Sequence, residues 1–149
     1  MQDKTSLSLS FSHIGICVSD LETSIRFYAG ALDFKVAEVY EVGNEVSQTM
    51  ELNDIQLRSQ FMRRDDGISL ELLGFTSPDT QGSQERRPMN QYGFTHLSFY
   101  VDDIDLTAER IENHGGTVHR HTYSCNEFIK LIFCTDPDGT RVELMQRQV

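Results

Sequence analysis

Two histidines and two glutamates stand at matching places in this 149-residue chain, and together they make a ligand set for a divalent cation. His13 opens the β-rich run Ile14-Gly15-Ile16-Cys17-Val18, and His96 opens Leu97-Ser98-Phe99-Tyr100-Val101. Glu71 lies in Ile68-Ser69-Leu70-Glu71-Leu72 and Glu143 in Thr140-Arg141-Val142-Glu143-Leu144, each four positions after a turn glycine, Gly67 or Gly139. Imidazole nitrogen and carboxylate oxygen, with no thiolate, suit one borderline or harder ion: Zn, Ni, Co, Mn or Fe(II). Any one of the four alone reads as an ordinary half-buried histidine or solvated strand glutamate. Four at equivalent positions read as a site, and open coordination positions for water or substrate would make it catalytic.

The equivalence comes from an internal repeat. Phe11-Ser12-His13-Ile14-Gly15-Ile16-Cys17-Val18-Ser19-Asp20-Leu21 matches Phe94-Thr95-His96-Leu97-Ser98-Phe99-Tyr100-Val101-Asp102-Asp103-Ile104, with Phe, His, Val and Asp at the same offsets. Asp65-Asp66-Gly67 and Asp136-Pro137-Asp138-Gly139 precede the two glutamate strands. In each half a short strand ends at an aspartate suited to cap a helix. Leu21, Ile25, Tyr28 and Leu32 then follow helical spacing, as do Ile104, Ala108 and Ile111, with Gly115-Gly116 as a stop. Three strands should follow each helix, near 35–42, 55–62 and 68–75, and near 117–122, 128–135 and 141–146. Asp-Pro-Asp-Gly has type I turn chemistry, so the last two strands form a hairpin. The expectation is one α+β domain over 1–149, made of two tandem βαβββ modules whose curled mixed sheets form a metal-binding cup. Module one covers about 9–76, a polar linker 77–92, and module two about 93–147. The linker reads as a plain connector, with an arm embracing a partner subunit as the alternative.

Strand side chains alternate between faces, which tells which residues share the cup. Ile14, Ile16 and Val18 must cover the first helix, so His13, Gly15 and Cys17 look away from it. The same alternation puts His96, Ser98 and Tyr100, then Ser69, Glu71 and Leu73, then Arg141, Glu143 and Met145, on the face that the helices leave open. If Ile55, Leu57 and Phe61 cover the helix, Gln56, Arg58, Gln60 and Met62 line the cup. Arg58 and Gln60 then become substrate-binding candidates, Arg58 as a bidentate partner for a carboxylate. Lys130 shares alternation with Ile132 and Cys134 and is a third inward candidate. His119 and His121, at i and i+2, read as solvent-facing, His114 as a helix-end histidine, and Cys17 as small filler.

Composition bounds the rest. With 38% hydrophobic and 24% charged residues the chain folds as a globular protein. A net charge of −10 argues against nucleic acid or an anionic membrane surface as partner. Three cysteines without CxxC spacing, no apolar leader core in Met1 to Ser12 and no bilayer-length apolar run lead to the expectation of a cytoplasmic protein.

At the motifs His13-Ile-Gly-Ile-x-Val-x-Asp20-Leu-x-x-Ser24-Ile-x-Phe-Tyr28, His96-Leu-x-Phe-x-Val-Asp-Asp103 and Asp136-Pro-Asp-Gly-x-x-x-Glu143-Leu, the sequence resembles the vicinal oxygen chelate superfamily, which includes glyoxalases, bleomycin resistance proteins and extradiol dioxygenases. The resemblance runs from Phe11 to Gln146 and implies paired βαβββ modules around a metal. The intact His13/Glu71/His96/Glu143 quartet is similar to the glyoxalase I pattern, whereas the dioxygenases use two His and one Glu and leave the position of Glu71 unused. That implies a metal-dependent lyase or isomerase moving a proton next to a carbonyl of a small metabolite or thioester, with Glu143 or Glu71 as the catalytic carboxylate. An Fe(II) extradiol-type dioxygenase and a non-catalytic drug- or metabolite-binding protein are the alternatives. Epimerase-type members carry an extra carboxylate near the start of the third strand, where this chain has Gln56, with Asp54 and Glu51 close by; this weakens an epimerase reading and does not remove it. The family's habit of pairing chains implies a homodimer, with the cup closing within a chain or between chains.

Overall fold

The computed structural model describes residues 8–148; residues 1–7, part of the stretch read above for a leader, and Val149 lie outside it. Two sheets and two main helices follow the repeat. In the first half β1 (Ile14–Val18) leads into α1 (Leu21–Leu32), then β2 (Lys35–Val42), a 3-10 turn and the short α2 (Ser47–Met50), β3 (Gln56–Arg63) and β4 (Ser69–Ser77). The second half repeats this with β5 (Leu97–Tyr100), α3 (Ile104–Asn113), β6 (Thr117–Val118), β7 (Ser124–Cys125), β8 (Ile129–Thr135) and β9 (Arg141–Arg147). The sheets run β1-β4-β3-β2 and β5-β9-β8-β6, with β7 also paired to β8; each first strand lies parallel to its module's last, and the other pairings are antiparallel. Both sheets are curled and mixed, and neither closes into a barrel.

The capping aspartates behave alike. Asp20 and Asp103 share φ −138 and ψ 112, and each accepts a hydrogen bond from the amide three residues on, Thr23 or Leu106. The two final hairpins also match. The Gly67 amide donates to the Arg64 carbonyl and the Gly139 amide to the Asp136 carbonyl, both at 3.1 Å, with φ of 89 and 85 at the glycines. A Cβ on Gly139 would lie 2.4 Å from the Gln84 carbonyl oxygen, so the arm can pass over this turn only because no side chain is there.

The helix-covered faces of both sheets meet in one core. Ile16, Val18, Phe27, Leu70 and Leu72 of the first half pack with Phe99, Ile111, Val142 and Leu144 of the second. Phe34 meets Phe99 edge to face at 6.3 Å, and the Arg64 guanidinium lies over both rings. The Tyr28 hydroxyl donates to Asp136 at 2.8 Å across the same boundary, and Arg110 donates to the Gly30 carbonyl at 2.9 Å. Burial raises the Asp136 carboxyl, opposed by the Tyr28 hydroxyl and the Thr140 and Asp138 amides.

Three departures concern the strands. The stretch expected as a strand over 117–122 is two strand residues followed by a 3-10 turn over Arg120–Thr122, and β7 is an extra short strand. Residues 44–50, not expected to be helical, form the turn and α2. The alternation in β3 and β8 is the reverse of that expected: Phe61 stands opposite Glu71 and Phe133 opposite Glu143, so Ser59 and Phe61, and Leu131 and Phe133, share the glutamate face. Met62, Ile132 and Cys134 are in the core on the helix side.

Candidate metal centre

Each module builds one His–Glu pair. β1 and β5 begin just after His13 and His96, while Glu71 and Glu143 lie inside β4 and β9. Parallel pairing of first and last strands sets Gly15 opposite Glu71 and Ser98 opposite Glu143, so each histidine reaches the glutamate of its own sheet. Nε2 of His13 is 3.1 Å from Glu71 Oε2, and Nε2 of His96 is 3.5 Å from Glu143 Oε2. The other ring nitrogen is held in both cases: the Ser12 hydroxyl lies 2.9 Å from His13 Nδ1 and the Thr95 hydroxyl 2.8 Å from His96 Nδ1. Phe61 and Phe133 pack edge to face on the two imidazoles, at 5.1 and 5.5 Å.

Serine hydroxyls hold the carboxylates. Ser59 donates to Glu71 at 2.6 Å, and Ser98 donates to Glu143 at 2.7 Å. The four candidate ligands keep between 16% and 33% of their side-chain surface exposed, so each pair is oriented by its neighbours yet open on one side.

The donor set fits a divalent ion. A neutral imidazole has one N–H; if it donates from Nδ1 to the serine or threonine hydroxyl, Nε2 presents a lone pair to a carboxylate oxygen. In that tautomer a cation between the two would satisfy both, whereas an Nε2–H would donate to the carboxylate directly. Ligands about 2.0–2.2 Å from one ion, at angles between square and tetrahedral, sit roughly 2.8–3.6 Å apart, a range that contains the two N···O distances of 3.1 and 3.5 Å.

The four ligands do not meet as one cluster inside the chain. Among the described residues no group of three or more His, Cys, Asp or Glu side chains is poised to hold an ion. The structure brings together His13 with Glu71 and His96 with Glu143, as two half-sites.

The three expected substrate-binding residues lie elsewhere. Arg58 pairs with Glu22 of α1 and lines a separate cleft of about 770 Å3 beside the start of that helix. Gln60 is 4% exposed and donates its amide to the Ala37, Glu38 and Phe61 carbonyls, where β2 is bulged. Lys130 shares alternation with Ile132 and Cys134, away from Glu143. In β3 the apolar Leu57 and Phe61 read as the helix-covering face, which sends Arg58 and Gln60 toward the cup, and in β8 both faces are apolar, so alternation alone does not place Lys130. Ser12 and Thr95 were missed although a hydroxyl precedes the histidine in both copies of the repeat. Ser59 followed from the reversed alternation. Burial and then Asp138 raise the Cys17 thiol, and burial pushes Cys134 up to about 12, which keeps both neutral and weak as ligands.

A family model described as the Glyoxalase/Bleomycin resistance protein/Dioxygenase superfamily matches residues 10–144, and the chain belongs to that superfamily. It is 31% identical to the uncharacterized protein YaeR of Escherichia coli K12, over 91% of this chain and 94% of that one. It is 28% identical to a lactoylglutathione lyase of Haemophilus influenzae, over 91% of each. The crystal structure of a glyoxalase family protein from Bacillus cereus superimposes with a TM-score of 0.86 at 21% identity, covering 99% of both chains, a likeness of fold.

Proposed function

We propose that this protein is a metal-dependent lyase or isomerase that moves a proton next to a carbonyl of a small metabolite or thioester, in sites completed between two copies of the chain. The observation that carries the reading is the pair of matching His–Glu half-sites, each with its imidazole and carboxylate held by hydroxyls. His13 and Glu71 of one copy would face His96 and Glu143 of the other. A bound Zn, Ni, Co, Mn or Fe(II) ion would act as a Lewis acid toward the substrate oxygens. Glu143 or Glu71 takes the proton from the carbon beside the carbonyl and returns it, on the same or the neighbouring carbon. Ser59 and Ser98 orient these carboxylates, and Phe61 and Phe133 form dry walls beside the two histidines.

Uncovered apolar side chains around the half-sites support a second copy as the cover. Phe11 and Phe94, two positions before each histidine, are 77% and 88% exposed, and Leu9 and Tyr92, four positions before, are 96% and 100% exposed. The lactoylglutathione lyase relative supports a lyase over a binding protein.

Metal content of the untagged protein, with Glu71→Ala and His96→Ala beside it, tests the reading. About one ion per chain, lost in both variants, is expected. That protein should also exchange the carbon-bound proton of a hemithioacetal or acyl-CoA with solvent deuterium. Iron retained without Glu71, with O2 consumed on catechols, would assign the dioxygenase chemistry instead. An intact protein purified without any metal would leave a binding function.

A further inference from the structure

A cavity of about 930 Å3 opens between β1, the start of β5 and the arm that joins the modules. Arg86 and Arg87 line it from the arm and Arg141 from the first position of β9. Arg141 shares the strand face of Glu143. The parallel pairing that sets Leu97 opposite Val142 brings His96, which lines the same cavity, alongside Arg141.

Three guanidiniums gather there in a chain of net charge −10, yet no ion pair among the described residues uses any of them. Arg87 donates to the Phe94 carbonyl. The acidic groups on the cavity wall, Glu85 and Asp138, do not come within 4.0 Å of these arginines. Asp138 is engaged by the Ser19 amide at 2.9 Å, by the Ser19 hydroxyl, and by the Gln84 amide at 3.3 Å. Three like charges thus share one cavity wall without a paired counter-charge, an arrangement that attracts an anion.

We propose that Arg86, Arg87 and Arg141 form a binding site for the anionic group, phosphate or carboxylate, of a small-molecule ligand seated beside His96. Planar guanidinium forks grip either oxyanion through paired N–H donors. The anion site stands by itself; that its ligand is the substrate rests on the metal-site reading above, because Arg141 and His96 put the anion next to one half-site.

Calorimetric titration of the full-length protein with inorganic phosphate and with malonate, at low ionic strength, tests this. It is run on the protein as purified and after a chelator. Saturable binding is expected in both preparations, weakened at least about tenfold in Arg86→Gln and in Arg141→Gln. Arg141→Lys, which keeps the charge and loses the fork, should retain part of it. Arg147→Gln, at an arginine stacked on Tyr100, should bind as the unaltered protein does. The tighter of the two probes tells phosphate from carboxylate. No saturation by about 50 mM, or binding indifferent to Arg86 and Arg141, overturns the proposal. Binding seen only before chelation and insensitive to the arginines also overturns it, and leaves the metal reading intact. Arginine-dependent binding to a protein that carries no metal upholds the anion site and removes the metal reading. Failure of both probes together with dissociation of a dimer in the arginine variants would assign the cluster to a subunit contact and overturn the proposal.

Discussion

Each candidate histidine has a hydroxyl at one ring nitrogen and a carboxylate at the other, which leaves a single atom, Nε2, to meet a cation. When the hydroxyl accepts from Nδ1–H, Nε2 is the lone-pair atom, the usual arrangement of a group behind a metal ligand; when it donates to Nδ1, Nε2–H faces the carboxylate. Ser59 and Ser98 hold the carboxylates, but from different strands and depths: Ser59 is 3% exposed on β3, whereas Ser98 is open on β5. Ser98→Ala should weaken metal binding by about 10-fold, and Ser59→Ala by more, toward 100-fold, because water cannot replace its hydroxyl at Glu71 Oε1. Competition against a chromophoric chelator measures both, and equal, negligible effects would remove the serines from the site. Residue-scale chemistry was legible where the repeat wrote it twice. His13 and His96 and Glu71 and Glu143 recur at equal offsets, and so do Ser12 and Thr95. Ser59 has no such echo, since Leu131 holds its place in the second half.

Strand alternation decides which side chains see the ligands, and here the hairpin turns set it. The turns at Gly67 and Gly139 fix Phe61 opposite Glu71 and Phe133 opposite Glu143. Counting back from the turns would have given the true face of β3 and β8; counting apolar residues could not, because the wall beside the His–Glu pairs carries Phe61 and Phe133 and is apolar like a core face. β1, β4, β5 and β9 were legible because one face of each is an apolar row that must cover its helix: Ile14, Ile16 and Val18; Leu70 and Leu72; Leu97 and Phe99; Val142 and Leu144. Gln60 consequently holds the β2 bulge and stays away from the His–Glu face. Gln60→Ala removes a buried donor from three carbonyls and should cost about 1–3 kcal/mol in urea unfolding, with metal content unchanged. Intact stability with lost substrate affinity would return Gln60 to the site. A second element-scale contact, Asp33 at the end of α1 with Arg110 of α3, carries a pH signature. The Arg110 hydrogen bond holds the Asp33 carboxyl below its ordinary value, outweighing partial desolvation, which raises it. A depressed carboxyl stabilises the folded state above its unfolded pKa of about 3.9 and loses that contribution as pH falls through the folded value. Asp33 has φ 59, which asparagine also tolerates, so Asp33→Asn isolates the charge. It should lower stability by under about 1 kcal/mol at pH 7, a surface pair being worth little, and the gap should close as pH falls through the folded value. Thermal midpoints compared across pH check the sign.

The whole molecule joins its two halves back to back and leaves their ligand-bearing faces apart. Phe27, Tyr28 and Phe34 of one module pack with Phe99 and Ile111 of the other, so helix-covered surfaces form the shared core while His13–Glu71 and His96–Glu143 stay separate pairs. Fold and repeat were legible from periodicity, caps and turns; the relation between the modules was not, because it is set by shape across the arm, and sequence offsets carry no such information. If each site takes module one from one copy and module two from the other, a mixed dimer has a distinctive property. His13→Ala disables every site of its own homodimer, and so does His96→Ala. Paired with each other, one of the two sites would hold both lesions and the other neither. A heterodimer purified through two different tags should therefore regain about one ion per dimer and about half of the unaltered activity, while both homodimers have neither. Sites closed within single chains would give a heterodimer as inactive as its parents, because each chain would still carry its own missing histidine.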